Sequence, residues 1–527
     1  MPTHPVLIAG QWRPAKATGT FRADNPAAGE ALPDEYPVSG WEDVDAALDA
    51  ATEAMGDLRS TPADRLARFL TRFAERIEAR AEELVTMAHL ETGLPRAPRL
   101  AEVELPRTTN QLRLAAQAAV EGSWALPTID TKLNIRSYYA ALGPVWVFGP
   151  NNFPFAFNSA AGGDFAAAIA SGNPVIAKAN TSHPGTTRLL AEEAAAAAKD
   201  AAVPPAILQL LYRTGHPEGE RLVADPRTGA VAYTGSRSAG LKLKTAADAA
   251  GKPIYLELSS VNPVVILPGA LAERGDKLAE EFAGSSLLGT GQFCTNPGLV
   301  VLIAGEATER FVGSVKQRFE AAAITPLLSS SVARSLEASM KVLRAAGAAV
   351  VTGGVPASGP GYRFANTLLR VDGSRFVAEP EKLQTEAFGN ATVMVVARDA
   401  AEAGAVLDSL EGNLTGSFYT DTKGADDALH DALVPRLRPR VGRLLNDKMP
   451  TGVAVSSAMH HGGPFPSTGH PGFTAVGIPA SLRRFGMLQC FDAVRPSRLP
   501  PALRDQNPNG TMWRLVDGSW SQADVGA

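Results

Sequence analysis

The chain has 527 residues, more than one hydrophobic core usually spans, so we expect two or three domains. Charged residues make up 20% of it and the formal net charge is −4, a balance that gives no sign of a nucleic-acid or anionic-membrane partner. The longest uncharged run, from Arg136 to Asp164, is broken by Pro144, Pro150 and Pro154, so we expect a soluble core there and no membrane span.

The N-terminal half is predicted to hold helices followed by a parallel sheet. No basic region followed by an apolar stretch opens the chain, so no secretory signal is predicted. Residues 41–120 carry apolar side chains at helical spacing, and the alanine-rich 191–202 also favours a helix. Strand candidates then alternate with helices, at 144–149, 173–179, 206–213, 229–235 and 254–259. This alternation indicates an α/β fold with a doubly wound parallel sheet, which binds ligands at the carboxyl ends of its strands.

A second α/β series follows in the C-terminal half. Its strand candidates are VNPVVILPG, LVVLIAG, AAVVTGG and NATVMVV. The tail from about residue 486 onward is rich in proline, arginine and asparagine. It could pack against its own chain or form a contact between copies, and the pattern leaves both open.

The chain has two cysteines, Cys294 and Cys490, so we expect neither a disulfide scaffold nor a metal site. Because so few cysteines are typical of proteins whose thiols stay reduced, we expect the protein in the cytoplasm. Cys294 lies in GTGQFCTNPG, residues 289–298. A lone free cysteine is more often a buried structural thiol than a nucleophile. The flanking glycines and polar residues favour the second interpretation, because they let a substrate approach closely and offer hydrogen-bond donors.

Two polar residues at predicted strand ends are further catalytic candidates. Glu257 interrupts the apolar run IYLELS, where burial would raise its pKa and suit a general base; a salt-bridged structural carboxylate is the alternative. Asn152 in FGPNNFPFAF could present its amide to an oxyanion, although an asparagine in such a place more often caps a turn.

Two other segments could bind a dinucleotide. Gly235 and Ser236 in YTGSRSAG join a strand to a helix, and the helix N-terminus would suit a pyrophosphate, although the spacing lacks the GxGxxG fingerprint. Lys178 follows the apolar strand of IAKANTSHPG, whereas a lysine is usually a surface residue.

Seven segments match motifs of the aldehyde dehydrogenase superfamily in order: FGPNNFP, IAKANTSHPG, YTGS, LELSSVNP, GQFCTNPG, TEAFGN and GNLTGSFYT. The chain therefore resembles that superfamily from GQW near residue 12 to the C-terminal region. GGDFAAAIASG, GQFCTNPG and AMHHGGPFP are similar to one branch, which contains NADP-preferring bacterial aldehyde dehydrogenases and the α-ketoglutarate semialdehyde (2,5-dioxovalerate) dehydrogenases.

The resemblance implies catalytic roles for three residues. Cys294 would be the nucleophile, Asn152 and the Cys294 backbone N–H would stabilise the oxyanion, and Glu257 would be the general base. The implied reaction is oxidation of an aldehyde to an acid through a thiohemiacetal and a thioester. One departure is that Ser259 and Ser260 replace the glycine pair common after the base.

The resemblance also implies a binding site for NAD(P)+. Lys178 would bind the adenosine ribose, Gly235 and Ser236 the pyrophosphate, and Glu386 the nicotinamide ribose. The remaining implied cofactor-binding positions are Gly240 and Phe388.

The residues near Lys178 favour NADP+ over NAD+. NAD-preferring relatives often place a glutamate three residues after the lysine, where it repels a 2′-phosphate, and this position is Thr181 here. Arg213 or His216 could add positive charge. We therefore expect NADP+ as cofactor, with NAD+ as the alternative.

These assignments imply three structural units. Residues 1–126 and 144–258 would form the dinucleotide-binding domain, 259–485 the catalytic domain, and 127–143 with 486–527 a small oligomerisation element and C-terminal extension. We expect a homodimer or homotetramer that oxidises 2,5-dioxovalerate to 2-oxoglutarate. The alternatives are a fatty or broad-specificity aldehyde dehydrogenase and a catalytically silent dinucleotide-binding protein, which would be marked by loss of Cys294 or Glu257.

Overall fold

The computed structural model describes residues 3–526 and contains two seven-stranded sheets. The first sheet has the spatial strand order Ile254–Glu257, Ala230–Thr234, Val145–Phe148, Val175–Lys178, Leu208–Leu211, Val6–Ile8 and Gln11–Arg13. Its first five strands are parallel, and the N-terminal hairpin adds two strands, each of which pairs antiparallel with the strand before it in this order. Later strands lie on both sides of Val145–Phe148, so the doubly wound parallel sheet is confirmed.

The strand predicted at 206–213 is shorter than expected. A 3₁₀ turn at Pro205–Ile207 precedes the strand, because two consecutive prolines at 204 and 205 cannot donate to a ladder. Arg213 and Thr214 then leave the main sheet for a small one, whose strands are Arg213–Thr214, Tyr36–Ser39 and Ala17–Phe21. A two-stranded sheet pairs Asp24–Asn25 with Glu30–Ala31.

The second seven-stranded sheet contains the predicted C-terminal series. Its order is Ala349–Thr352, Thr367–Asp372, Ala391–Ala397, Leu299–Ile303, Val264–Ile266, Asn413–Tyr419 and Val441–Asn446. Six strands are parallel, and only Ala349–Thr352, at the edge, is antiparallel. The two strands Ala391–Ala397 and Asn413–Tyr419 are buried along their whole length, as expected for parallel strands covered on both faces.

A five-stranded sheet joins the tail to the middle of the chain. Its order is Gly486–Asp492, Ile135–Ala141, Thr128–Asp130, Arg514–Val516 and Ser519–Ser521. The tail thus packs against its own chain, and Gly486–Asp492 remains an edge strand whose Met487 and Leu488 side chains are exposed.

The helices cover both large sheets. In chain order the α-helices are Trp41–Leu58, Ala63–Ala79, Ala81–Thr92, Leu105–Glu121, Gly163–Ala170, Pro184–Ala201, His216–Ala224, Arg237–Ala249, Pro268–Leu287, Glu306–Ala321, Ser330–Ala345, Gly373–Ala378, Pro380–Leu383, Ala400–Asp408, Asp427–Leu437 and Ala480–Arg483. None of the described helices is long and apolar enough to cross a membrane. Met1, Pro2 and Ala527, which the predicted terminal units include, lie outside the described residues.

Candidate active site

The carboxyl end of strand Ile254–Glu257 brings a distant loop into the site. Glu257 is the last residue of this strand and forms an isolated antiparallel bridge with Thr468. The Leu258 N–H donates to the Ser467 carbonyl at 2.8 Å, and the Gly469 N–H donates to the Leu256 carbonyl at 3.0 Å. These bonds fix residues 461–470, which we call the histidine loop, beside Glu257.

Cys294 lies in a tight loop that precedes strand Leu299–Ile303. Three consecutive residues, Gly289 to Gly291, have positive φ. A Cβ on Gly291 would lie 2.1 Å from the Gly389 carbonyl oxygen, so only glycine allows this approach. The Asn262 amide donates to the carbonyls of Cys294 and Asn296, each at 2.9 Å, and thereby fixes the backbone of the loop.

One histidine contacts both the predicted nucleophile and the predicted base. His461 Nε2 lies 3.0 Å from Glu257 Oε1 and 3.5 Å from Cys294 Sγ. His461 and Glu257 are buried, whereas Cys294 is half-buried. Their donor atoms lie within 4.8 Å of one another, a separation that would also suit a metal ion, so the absence of a metal site remains a prediction. Glu257 Oε2 is buried without a partner among residues 3–526 and can accept a further hydrogen bond.

The thiol of Cys294 is kept protonated by its surroundings. Burial, with a smaller contribution from the Glu257 carboxylate, raises the pKa of this thiol well above its ordinary value, while Arg107 acts in the opposite direction. A thiolate is the reactive form of cysteine, so this site needs a group that accepts the proton or stabilises the anion. The imidazole and carboxylate next to the sulfur are placed to do this.

Asn152 approaches the same loop from the first sheet. It follows strand Val145–Phe148, is buried, and donates from Nδ2 to the Gln292 carbonyl at 2.9 Å. The structure therefore brings together the three predicted catalytic residues, Cys294, Glu257 and Asn152.

Glu386 lies close to the two serines that replace the glycine pair. Burial raises the pKa of Glu386 to about 7, while the Ser259 hydroxyl and the Ser260 backbone N–H favour its ionised form. The buried Ser260 hydroxyl also donates to Asn262 Oδ1 at 2.9 Å. Neither serine has a positive φ, so the backbone does not require glycine at these positions. Phe388 lies two residues beyond Glu386 and packs against the hydrophobic core.

Lys178 lies at the carboxyl end of strand Val175–Lys178. Burial, and then the positive charge of Arg213, lowers the pKa of Lys178 to about 8. Thr181 follows in the loop before helix Pro184–Ala201 and carries no charge. His216 begins the next helix, and no hydrogen bond or ion pair connects it to Lys178 or Arg213 within the described chain.

The segment from Gly235 to Gly240 connects the first sheet to helix Arg237–Ala249. Ser236 is the N-cap of this helix, and its hydroxyl accepts from the Ala239 N–H at 3.4 Å. A Cβ on Gly240 would lie 2.5 Å from Leu258, so this glycine allows the helix to pack close to the site. The backbone N–H groups of Arg237 and Ser238, at the start of this helix, remain available to an anion.

Comparison with known proteins identifies the class of protein that this fold and site define. Residues 12–434 match the aldehyde dehydrogenase family. The chain belongs to the aldehyde dehydrogenase family, and it is an oxidoreductase.

Among curated proteins, α-ketoglutaric semialdehyde dehydrogenase 2 of Azospirillum brasilense is 39% identical over 97% of this chain and 98% of its own length. The α-ketoglutaric semialdehyde dehydrogenase of Acinetobacter baylyi is 35% identical over 91% of this chain and 92% of its own. The solved 1-pyrroline-5-carboxylate dehydrogenase from Thermus, with bound NAD, has the same fold: the TM-score is 0.80 at 24% identity, and the match covers 93% of this chain and 92% of that one.

Sequence reasoning missed two residues at the centre of the site. His461 lies in the segment AMHHGGPFP, which contributed to the resemblance, but nothing in the sequence indicated that it reaches Glu257, 204 residues away. Asn262 is part of LELSSVNP, and its contact with the cysteine loop also depends on the tertiary fold.

The raised pKa of Cys294 predicts a characteristic alkylation profile. With exposed Cys490 replaced by serine, the rate of iodoacetamide reaction at Cys294 should keep rising through the alkaline range, because the thiolate fraction grows with pH. His461→Ala should move the profile to still higher pH, because the sulfur loses a nearby N–H donor. A plateau near neutral pH, or a profile unchanged by His461→Ala, would contradict this description.

Proposed function

We propose that this enzyme oxidises 2,5-dioxovalerate (α-ketoglutarate semialdehyde) to 2-oxoglutarate through a thioester on Cys294. The observation that supports the thioester most directly is the contact of His461 Nε2 with both Cys294 Sγ and Glu257 Oε1. The two α-ketoglutaric semialdehyde dehydrogenases, similar over nearly the whole chain, support the choice of substrate.

The first step is attack by the Cys294 sulfur on the aldehyde carbon. The thiol gives its proton to the neighbouring pair of His461 and Glu257, a C–S bond forms, and the carbonyl double bond opens to an oxyanion. The negative charge that develops on the oxygen needs N–H donors, and the Asn152 amide and the Cys294 backbone N–H are the groups we assign to this role. Asn152 is held in the cysteine loop by the Gln292 carbonyl, so its orientation is set before substrate binds. When bound, the nicotinamide cofactor supplies the acceptor for the hydride that leaves this carbon.

The second step is hydrolysis of the thioester. We assign Glu257 as the base that takes a proton from water, because its unpartnered Oε2 can accept a hydrogen bond while Oε1 is held by His461. The water oxygen bonds to the acyl carbon, the C–S bond breaks, and the acid is released. The sulfur takes up the proton that Glu257 accepted, which regenerates the thiol. His461 acts as a positioning residue, since one N–H orients the carboxylate and also lies close enough to stabilise the thiolate.

The residues at the edge of the first sheet fit an NAD(P)+ molecule. The half-buried Lys178 ammonium makes no hydrogen bond or ion pair to a described residue, so it is available to ribose hydroxyls or a phosphate. We assign the pyrophosphate to Gly235, Ser236 and Gly240, and the nicotinamide ribose to Glu386 with Phe388 beside it. Arg213 next to Lys178, with uncharged Thr181 nearby, favours NADP+ over NAD+.

The remaining expectations concern the units of the chain. We propose that the first seven-stranded sheet belongs to the dinucleotide-binding domain and the second seven-stranded sheet to the catalytic domain. The five-stranded sheet would belong to an oligomerisation element. The exposed edge strand Gly486–Asp492, with apolar Leu488, supports a homodimer or homotetramer, whose mass light scattering would measure. A thiol that must remain reduced is consistent with the cytoplasm as location.

The substrate proposal predicts a clear preference in steady-state assays. The value of kcat/KM should be higher for 2,5-dioxovalerate than for a long-chain fatty aldehyde, measured by the absorbance of reduced cofactor. Equal or better turnover of the fatty aldehyde would contradict the substrate, although not the family. Cofactor binding without turnover of either aldehyde would instead indicate a catalytically silent protein.

The cofactor proposal predicts a selective effect of Arg213. Arg213→Gln should raise the KM for NADP+ by about tenfold, because an exposed charge-assisted contact to a phosphate is worth roughly 1.5 kcal/mol. The KM for NAD+, which lacks the 2′-phosphate, should hardly change. Equal effects on both cofactors would show that Arg213 does not distinguish them, and His216→Gln, measured in parallel, tests the other predicted cation.

A further inference from the structure

We propose that Arg107 binds a carboxylate at the far end of the aldehyde substrate, with Arg443 adding positive charge. This inference rests on the proposed function and assigns the part of the site that recognises the anion. Neither arginine belongs to the sequence motifs that indicated the chemistry.

Arg107 is fixed in place but leaves one group unused. It lies in the first turn of helix Leu105–Glu121. Its Nη1 donates to the Val453 carbonyl at 2.7 Å, and its Nε donates to Gln111 Oε1 at 3.1 Å. Its Nη2 is buried and has no hydrogen-bond partner among residues 3–526. A buried N–H without an acceptor costs about 1–3 kcal/mol, more on a charged group, so this atom should meet an acceptor in the working enzyme.

The Arg107 guanidinium, whose Nη2 has no partner in the described chain, lies close to the reacting residues. Its Cζ is 5.3 Å from the centre of the Phe157 ring, and the centre of the His461 ring is 5.9 Å from that same ring. Burial lowers the pKa of Arg107, whereas the nearby charge of Glu104, and to a smaller extent Cys294 and Glu257, favours its charged form. Phe157 thus separates Arg107 from His461 by one side chain, which is the kind of spacing a short substrate could bridge.

No side chain of the described protein neutralises Arg107. Glu104 is the nearest candidate, but its carboxylate is occupied by Arg99 and by the backbone N–H groups of Phe155 and Ala156. Arg107 forms no ion pair within residues 3–526. A buried charge is normally paired, because desolvation costs several kcal/mol. An anionic ligand would provide the missing partner.

Arg443 adds a second cation with the same property. Its Nη atoms donate to the backbone carbonyls of Pro450 and Gly452, and its Nε is buried without a partner in the described chain. Burial lowers the pKa of Arg443, whereas a thiolate at Cys294 would favour its charged form. Two cations that no carboxylate of the described residues pairs with give the site a positive field that an uncharged fatty aldehyde would not need.

A carboxylate is the ligand that fits this donor best. Guanidinium groups form short, directional bonds to carboxylate oxygens. In 2,5-dioxovalerate the carboxylate and the aldehyde are at opposite ends of a five-carbon chain, so the aldehyde carbon can reach Cys294 while the other end contacts Arg107. Binding at the non-reacting end positions the aldehyde for attack.

Arg107→Met tests this role with a pair of matched substrates. With 2,5-dioxovalerate, kcat/KM should fall by about 100-fold, mainly through KM, because a buried charge-assisted contact is lost. With pentanal, which has the same length but no carboxylate, kcat/KM should fall much less, by about threefold, because only the favourable effect of the Arg107 charge on the Cys294 thiolate is lost. The activity that remains with pentanal also shows that the variant is folded. Arg107→Lys should retain part of the preference, and Arg398→Met, on the exposed surface, should retain all of it.

Equal losses with both substrates, or no loss with either, would overturn the assignment. Glutarate, a five-carbon dicarboxylate that cannot be oxidised, separates this question from the proposed function. Calorimetry should show that wild type binds glutarate and that Arg107→Met binds it at least tenfold more weakly. If wild type does not turn over 2,5-dioxovalerate but glutarate binding still depends on Arg107, the substrate proposal fails and the anion site stands. Equal glutarate binding by wild type and Arg107→Met would show that Arg107 does not bind the anion, whichever aldehyde is the substrate.

Discussion

The hydrogen bond between His461 Nε2 and Glu257 Oε1, 3.0 Å long and buried, is the interaction on which the organisation of this site depends. It exists because the histidine loop is bonded through its backbone to the end of strand Ile254–Glu257. The same nitrogen lies within reach of Cys294 Sγ, so nucleophile and base share one polar neighbour. A short buried contact between such groups is strong in a low-dielectric environment, and it leaves the second carboxylate oxygen free for water.

Burial also shifts the pKa values of the ionisable groups around this hydrogen bond. Burial raises the pKa values of Cys294 and Glu386, whereas it lowers those of Lys178, Arg107 and Arg443. Buried charges of one sign are costly, so each cation needs an anion or a strong dipole. We propose that the adenosine ribose of the cofactor, or its 2′-phosphate, binds Lys178 and that the substrate carboxylate binds Arg107. Binding of substrate and cofactor would thus offset the free-energy cost of burying these unpaired cations in the free enzyme.

Much of the fold was predictable because it depends on local patterns. The first parallel sheet follows from short apolar runs, such as PVWVFG and IYLELS, separated by helical segments. The error at 206–213 also had a local cause, since the prolines at 204 and 205 shorten the strand. The family is confirmed, and Cys294, Glu257 and Asn152 lie together, although their roles remain predictions.

His461 and Arg107 were missed for a common physical reason. His461 contacts Glu257 across 204 residues, and Arg107 donates to the Val453 carbonyl across 346 residues. Neither residue interrupts a local hydrophobic pattern in a way that indicates its partner. Such contacts depend on how separate elements pack, so they become visible only in three dimensions.

The most direct test of the covalent mechanism is to trap the acyl-enzyme. Glu257→Gln would be mixed with 2,5-dioxovalerate and NADP+, quenched in acid, digested and weighed by mass spectrometry. Because this variant lacks the base that activates water, we expect the acyl group to accumulate on the peptide that contains Cys294. A burst of reduced cofactor should accompany this, and the Cys490 peptide should be unmodified. Reduced cofactor formed while the Cys294 peptide keeps its original mass would contradict the thioester.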